Sequence, residues 1–353
     1  MGVGVVRRNP RDLVPYVAMV AAQAIAATYA ILSKIIFAGG TNSTVFIFYQ
    51  FLAATAFMAP LALITERKTR PSLTPQILGW MFLLAFIGAT MFQLLLSGSL
   101  YYISTTTQSA ILNLLPAFTY VLSIASRQEN ADLNRLIGVV KLLGTAVSVS
   151  GALTLVLWHG SADHVRLSLN GTAFSDGWFG SLLAALGIIS FSTWLILQGP
   201  VTHQYPSELS ITAMMYFFGA IQTGLFAAFT CHRPSDWILG WNLELLNIIF
   251  GGVVNSGIGS FIFVWCDRKK GPLFVAVFSP LMLLLTAVME MAFLNSPLHL
   301  GSAVGAVMIV GGLYLFLWAK SNEESEESVG LGKNDEEAAS APLLLSTPPV
   351  EDP

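Results

Sequence analysis

Apolar runs of about 20 residues alternate with short links of Gly, Asn, Pro and charged residues along most of the chain. Because a helix of about 20 residues crosses a hydrocarbon core of about 30 Å, such runs predict membrane-spanning helices. We predict ten spans, at residues 16–37, 44–65, 77–100, 106–126, 135–158, 178–199, 208–230, 245–264, 272–294 and 301–318. The expected fold class is therefore an all-α membrane protein with ten transmembrane helices.

Composition supports a membrane protein. Hydrophobic residues make up 54% of the 353 positions and charged residues only 10%, against about 25% in soluble proteins. Nine of the 20 acidic residues follow residue 319, so the net charge of −3 is a property of the tail and the rest of the chain is slightly basic. The few cations left in the body are too scattered for a nucleic-acid surface, and we exclude nucleic acid as a partner.

The positions of Lys and Arg predict the orientation of the chain, because short cytoplasmic loops carry an excess of positive charge. With the N-terminus inside, 13 of the 17 basic residues fall in inner segments, two in outer loops and two, Lys34 and Lys141, within spans. This distribution predicts that both termini are cytoplasmic.

An internal repeat divides the spans into two groups of five. Pro116 aligns with Pro280, and Gly144 and Gly151 align with Gly305 and Gly312 at a spacing of about 160 residues. Since five is odd, the second copy enters the membrane from the other side, which predicts inverted repeats. The alternative is coincidence, since Pro and Gly are common in membrane helices. We predict a cytoplasmic N-terminus (1–15), a first repeat (16–158), an outer loop (159–177), a second repeat (178–319) and a disordered acidic cytoplasmic tail (320–353).

Polar side chains at helical spacing predict a wet interior. In the fourth span one face carries, in order, Ser109, Asn113, Pro116, Tyr120 and Ser123, and in the ninth span one face carries Ser279, Thr286 and Glu290. Lipid-facing polar groups are costly, so these faces point inward. The candidate substrate-binding residues are Gln23, Gln50, Gln93, Asn113, Tyr120, Trp194, Tyr216, Asn255, Ser279 and Thr286. The alternatives are interhelical bonds for the amides, bonds within the helix for the hydroxyls, and core packing for the aromatic residues.

Four residues are candidates for gating or coupling. Pro116 and Pro280 each remove a helical hydrogen bond, which predicts a kink in mid-membrane. Lys34 and Glu290 could form an ion pair near the outer end, or each could extend separately to the interface, as we expect of Lys141. Inverted repeats are typical of transporters, which open one site to two sides in turn. Because Glu290 is the only acidic residue inside a span that could carry a proton, we expect facilitated transport, with a proton-coupled metabolite or drug exporter as the alternative.

The chain resembles the plant nodulin-type EamA transporters of the drug/metabolite transporter superfamily, the "usually multiple acids move in and out" family. The resemblance is carried by Gln93, by Asn113-Leu-Leu-Pro116, by Glu129 and by the glycines of the fifth and tenth spans. It implies two EamA repeats and bidirectional movement of amino acids or related metabolites such as auxin. The chain differs where relatives often carry Tyr-Arg, since it has Tyr49-Gln50.

The resemblance also implies a location and a contact surface. It places the chain in the plasma membrane or the vacuolar membrane, and of these we predict the plasma membrane. It makes the Gly-rich helices at 135–158 and 301–318 either scaffold or a homodimer contact, and their spacing does not separate these two interpretations.

The sequence lacks the motifs that other classes of function would require. The five histidines fall in loops or at span ends, and neither an HExxH nor a GxSxG motif occurs. We therefore predict no enzyme activity, no metal site and no cofactor. A receptor or scaffold that transports nothing remains an alternative, although it would not require inverted repeats. The expected partners are a small-molecule substrate and the lipid bilayer.

Overall fold

The computed structural model describes residues 10–37, 41–103, 105–129, 136–160, 173–294 and 300–340. Every regular element in these ranges is helical, and they contain no strand. Nine helical segments of the described chain are long and apolar enough to cross a membrane, and one further apolar helix, Leu115–Ala125, is shorter. The structure thus confirms the predicted all-helical, multi-spanning class.

The first half contains seven α-helices and a π-helical segment. They are α1 (Pro10–Phe37), α2 (Ser43–Thr65), α3 (Pro75–Leu84), the π-helix Ala85–Met91, α4 (Phe92–Ser99), α5 (Thr105–Leu112), α6 (Leu115–Ala125) and α7 (Leu136–Gly160). The third predicted span therefore consists of α3, the π-helix and α4 in succession. The fourth predicted span is divided between α5 and α6.

The second half follows the same order. It contains α8 (Ala173–Gln204), α9 (Glu208–Thr230), a short 3₁₀ turn (Pro234–Trp237), α10 (Leu243–Ile249), the π-helix Phe250–Gly259, α11 (Ser260–Lys270), α12 (Pro272–Val277), α13 (Ser279–Leu294) and α14 (Leu300–Ser340). The tail was predicted to be disordered from residue 320, whereas α14 continues to Ser340. Glu and Ala are good helix formers and no proline lies between Pro297 and Pro342, which explains the extension.

Departures from α-helical geometry recur in both halves. Helix breaks occur beside both prolines at which kinks were expected, at Asn113-Leu114 and at Phe278. The two π-helices begin at Ala85 and Phe250. Both kinds of feature recur after 165 residues, close to the repeat length read from the sequence.

Each π-helix packs against the other half through a glycine. A Cβ atom on Gly88 would overlap the indole ring of Trp194 in α8, and a Cβ on Gly251 would lie 2.5 Å from the ring of Tyr29 in α1. Tyr29 and Trp194 are themselves 165 residues apart. The two halves are thus joined by a pair of equivalent glycine–aromatic contacts.

Two ends of the bundle can be distinguished by their contacts. At the first, the Cys266 thiol donates to the Pro15 carbonyl oxygen, and Arg268 pairs with Glu208. We call this the basic end, because it carries Arg67, Lys68, Arg70, Arg268, Lys269 and Lys270. At the opposite end, the Asn42 amide lies 3.1 Å from the Cys231 sulfur, and the Tyr102 and Phe179 rings are in contact.

A carboxylate of the basic end caps a helix. Glu66, which follows α2, accepts hydrogen bonds from the backbone N–H groups of Leu209 and Ser210 at 3.0 and 2.8 Å and from the Ser210 hydroxyl at 2.6 Å. A helix N-terminus carries unpaired N–H groups and partial positive charge, which favours this carboxylate. The contact joins the end of α2 to the beginning of α9.

The Gly-rich helices α7 and α14 pack against each other within the chain. A Cβ on Gly144 would lie 2.8 Å from the Gly312 carbonyl oxygen, and a Cβ on Gly151 would lie 2.8 Å from that of Gly305. These glycines therefore form a helix–helix contact within one molecule. A homodimer through these helices remains a prediction, and it would have to use their outer faces, where Val307 and Tyr314 are exposed.

The expectation that Lys141 extends to the membrane interface is wrong, because its side chain is only 1% exposed. Its ammonium lies 2.8 Å from Glu129 and 2.9 Å from Glu323, and Lys320 reaches Glu129 at 2.8 Å. Four charges from three segments neutralise one another at the basic end. A buried ammonium needs such partners, and the sequence separates them too widely for spacing to reveal them.

Candidate functional site

A cavity of about 470 Å³ lies between the two halves. Its walls come from α1, α4, α5, the second π-helix, α11 and α13. Two residues each of α2, the first π-helix, α8 and α12, and one residue each of α6 and α9, complete them. Pockets of about 300 to 1,000 Å³ are typical of small-molecule sites. The cavity therefore has room for a metabolite of modest size.

Seven of the ten predicted substrate-binding residues line this cavity. They are Gln23, Gln93, Asn113, Tyr216, Asn255, Ser279 and Thr286. They come from six of the predicted spans, so helix packing brings together residues that are far apart in the sequence. Gln50, Tyr120 and Trp194 are not among the lining residues.

Three carboxamides of the cavity have unused hydrogen-bonding groups. Gln23, Gln93 and Asn255 form no hydrogen bond with any described residue, although Gln23 is only 3% exposed. A primary amide offers two N–H donors and a carbonyl acceptor. The three side chains can therefore bind a polar solute without first breaking a protein contact.

The hydroxyls and Asn113 differ in how many of their hydrogen-bonding groups already have a partner in the protein. The Asn113 amide donates to the Ser109 carbonyl oxygen at 2.7 Å, which leaves the Asn113 carbonyl oxygen without a partner among the described residues. Thr286 donates to the Met282 carbonyl oxygen of its own helix at 2.9 Å. The Ser279 hydroxyl is buried and has no partner in the described chain. Asn113 and Ser279 therefore retain more binding capacity than Thr286.

Gln50 lies behind the cavity wall and holds other residues in place. It accepts a hydrogen bond from the Tyr29 hydroxyl at 2.5 Å and donates to the Ser256 hydroxyl at 2.8 Å. Its prediction as a lining residue is therefore wrong, since its polar atoms are used between α2, α1 and the second π-helix. Both of its partners line the cavity, so Gln50 fixes the orientation of lining side chains.

The aromatic residues at the cavity wall differ from the three that were predicted to bind substrate. Tyr216 lines the cavity, whereas Trp194 is 2% exposed and packs behind Phe191, and Tyr120 is buried in the core. The wall instead contains Phe92 and Phe191, whose ring centroids are 4.7 Å apart. Trp194 takes a core position because Gly88 leaves space for its ring.

The proline breaks occur where helix residues line the cavity. Pro116 and Pro280 have no N–H, so the carbonyl groups of Leu112 and Ala276 lack their usual donor four residues on. Leu112 and Ala276 both line the cavity, and the prolines themselves are buried. The breaks therefore bring irregular backbone to the edge of a polar cavity, which is where membrane proteins tolerate it.

The described lining residues include no Asp, Glu, Lys, Arg or His. The side chains of the predicted pair Lys34 and Glu290 lie outside the described part of the structure, so this ion pair remains a prediction. The described cavity surface is thus neutral, with amides and hydroxyls facing aromatic and aliphatic side chains.

The cavity lies towards the end of the bundle opposite the basic end. In that direction it reaches Leu100, which follows α4 and is 42% exposed. Towards the basic end it stops at Phe263, Val275 and Ala276. The segment that contains Val275 and Ala276, from Leu273 to Phe278, is no more than 3% exposed at any residue. The bundle is therefore packed shut at the basic end.

Sequence reasoning missed two features of the site. Gln108 lines the cavity and donates to Leu96 and Ser99 oxygen atoms, both at 2.7 Å. It does not lie on the polar face of the fourth span from which binding residues were predicted. The π-helices bring Gly88, Ala89, Asn255 and Ser256 to the cavity. π-helical turns are frequent at functional sites. Glycines such as Gly88 and Gly251 were the available signal, although glycine alone does not specify a π-helix.

These features define a multi-pass integral membrane protein with a neutral polar cavity between broken helices. Within that class, the chain belongs to the EamA-like transporter family, whose model matches residues 13–151 and 178–318. The match contains two EamA units. The recognition made from the sequence is thus confirmed, and the chain is a membrane transporter of the drug/metabolite transporter superfamily.

Relatives from Arabidopsis thaliana are similar over most of their length. The WAT1-related protein At3g18200 is 37% identical, covering 98% of this chain and 91% of its own. Protein WALLS ARE THIN 1 is 35% identical, covering 89% and 85%. A solved crystal structure aligns with a TM-score of 0.65 at 16% identity, covering 87% of this chain and 98% of its own, and shows a shared fold only.

Proposed function

We propose that this transporter moves amino acids or related small metabolites, auxin-like molecules among them, by alternating access through the central cavity. The observation that carries the proposal is the set of unpaired carboxamides, Gln23, Gln93 and Asn255, around a neutral cavity of about 470 Å³. Amides donate to carboxylates and accept from ammonium groups, so they suit a zwitterion. The Phe92–Phe191 wall suits its apolar side chain.

We propose ten spans arranged as two inverted repeats. α5 and α6 together would form the tenth span, divided at Asn113-Leu114. Inversion is supported by the ends at which equivalent helices begin. α1 begins beside Cys266 at the basic end, whereas α8 begins beside Tyr102 at the opposite end. Duplicated halves of this kind can expose one site alternately to two sides.

We propose that the basic end faces the cytoplasm, with both termini on that side. The support is the excess of Lys and Arg in the loops there. The cavity would then be open to the outside in this conformation. The plasma membrane is our proposed location, and a role in the vacuolar membrane is the alternative.

The expectation of purely facilitated transport rested on Glu290 as the only acidic residue within a span. Asp267 lies in the apolar helical segment Leu243–Lys270 and is 3% exposed, so that premise does not hold. Proton-coupled export therefore stays as the alternative to facilitated transport.

Counterflow in proteoliposomes tests the binding site. Labelled amino acids and auxins would be offered to the wild type and to Asn113→Ala and Gln23→Ala variants. We expect each variant to lose about tenfold in flux, as about 1.4 kcal/mol of lost binding energy gives. Gln204→Ala is the matched control, because Gln204 is exposed at the basic end. Wild-type flux in both cavity variants would exclude this cavity as the binding site.

A further inference from the structure

A cavity-lining face of α11 continues past the cavity into the packed basic end. Ser260 and Phe263 line the cavity, and Asp267 follows Phe263 by four residues, which places it on the same face one turn further on. Asp267 therefore lies beyond the closed end of the cavity. Its carboxyl oxygens are both buried and neither has a hydrogen-bond partner in the described chain.

Two further helices, α8 and α6, also carry buried polar groups without partners beyond the cavity. On α8, Phe191 lines the cavity and Gln198 lies two turns beyond it, 0% exposed and with neither amide atom paired among the described residues. On α6, the Ser123 hydroxyl is likewise buried without a described partner. Buried polar groups are nearly always hydrogen-bonded, so a set of unpaired groups beyond one cavity requires an explanation. Water would supply their missing partners if this half of the bundle opened.

The elements packed around α11 do not pair with Asp267. At the start of α9, Glu208 is paired with Arg268. After α8, the Tyr205 hydroxyl is buried and has no partner in the described structure. The second π-helix and α12, from Phe250 to Gly259 and from Pro272 to Val277, contain no titratable residue.

The remaining charged groups near α11 have other contacts. On α1, Tyr16 lies 5.8 Å from the Lys270 ammonium, measured to its ring centroid. Lys269 lies 4.2 Å from the Trp265 ring centroid. Among the described residues no ion pair to Asp267 occurs. An ionised carboxylate in such a place is strongly disfavoured, so the neutral acid is the form that fits.

The adjoining backbone can bend here. Gly271 has φ +87°, a conformation that side-chain-bearing residues rarely adopt, and it joins α11 to α12. α12 fills the space between the cavity and the basic end. Opening of the basic end by displacement of α12 would occur at this junction and would bring water to Asp267.

We propose that Asp267 is a proton-binding site in the closed half of the passage, protonated in this conformation and deprotonated when the basic end opens. The acid gives its proton to water on opening and takes one back before closing. Because ionisation is favoured only in the wet state, alkaline solution favours the state open at the basic end. The inference rests on the proposed alternating access and makes that access depend on the pH at the basic end. Because the proton leaves and returns on the same side, none crosses the membrane.

Flux measurements test the link. Wild type, Asp267→Asn and Asp236→Asn would be compared in proteoliposomes at about pH 6 and about pH 8, with the same pH on both sides of the membrane. Asp236 is the matched control, because it lies in the 3₁₀ turn at the opposite end. We expect the flux of wild type and of Asp236→Asn to differ between the two pH values, because the higher pH favours the state open at the basic end, and the flux of Asp267→Asn to be the same at both. A wild-type response in Asp267→Asn would overturn the proposal.

A second measurement does not depend on knowing the substrate. Cys266 is fully buried beside Asp267, so its rate of alkylation reports opening of the basic end. In a Cys231→Ser background, the rate should rise from about pH 6 to about pH 8 at least about fivefold more with Asp267 than with Asn at that position. Equal pH profiles would refute the proton site. Absence of wild-type flux, with the alkylation difference intact, would instead count against the proposed substrates.

Discussion

Replacing Gly312 with alanine is expected to destabilise the protein severely. In the α7–α14 contact, a Cβ at position 312 would overlap the Ser148 backbone nitrogen and lie 2.6 Å from the Gly144 carbonyl oxygen. Backbone atoms cannot rotate away as a side chain can, so the helices must separate. We expect a loss of about 3 kcal/mol, at the upper end for overpacking, measured as a lower thermal unfolding temperature in detergent.

The adjacent glycine provides the control for this prediction. A Cβ on Gly311 would meet no atom within 4 Å. Alanine there should be neutral or stabilising by up to about 1 kcal/mol, because alanine favours helix more than glycine does. Equal unfolding temperatures for Gly311→Ala and Gly312→Ala would contradict the close contact of α7 and α14.

Replacing Glu129 with glutamine is expected to have the second large effect. Glu129 is the carboxylate that Lys141 and Lys320 share, and the side chain is 5% exposed. Its loss leaves both ammonium groups with Glu323 alone. Removal of one partner from a buried pair costs about 3 to 5 kcal/mol, and we expect about 3 kcal/mol because Glu323 remains. Thermal unfolding of Glu129→Gln and of the control Glu244→Gln would measure it.

The same carboxylate predicts how stability depends on pH. Burial raises the pKa of Glu129, but Lys320 and Lys141 lower it by more, so its pKa lies below the ordinary value. A carboxyl whose pKa is lowered by folding binds fewer protons when folded. Its stabilising contribution is therefore present above the ordinary pKa and is lost as pH falls through the lowered one. Wild type should lose stability on acidification in this range more steeply than Glu129→Gln, and parallel profiles would contradict the assignment.

The length of the apolar runs was sufficient to predict the helical spans, and proline was sufficient to predict both helix breaks. Polar residues at helical spacing also indicated the interior, because Asn113 and Thr286 both line the cavity. These features depend on local chemistry, namely the exclusion of polar groups from lipid and the missing N–H of proline. Local chemistry is what a single sequence contains.

The features that were missed depend on partners distant in sequence. The packing of α2 against the second π-helix determines whether the Gln50 amide binds substrate or donates to Ser256. Lys141 is buried because Glu129 and Glu323 reach it from two other segments. Trp194 belongs to the core because a glycine 106 positions earlier, Gly88, leaves space for its ring. No spacing rule along one helix contains this information.

The paired contacts of Gly88 with Trp194 and of Gly251 with Tyr29 also bear on how such a protein could arise. In each contact the groove belongs to one half and the ring that fills it to the other. A polypeptide of only five helices would have an unfilled groove at its glycine and an aromatic ring with nothing to pack against. Both contacts would form only when it associated with a second copy of itself. Duplication and fusion would then have made permanent an association that the ancestral unit already required.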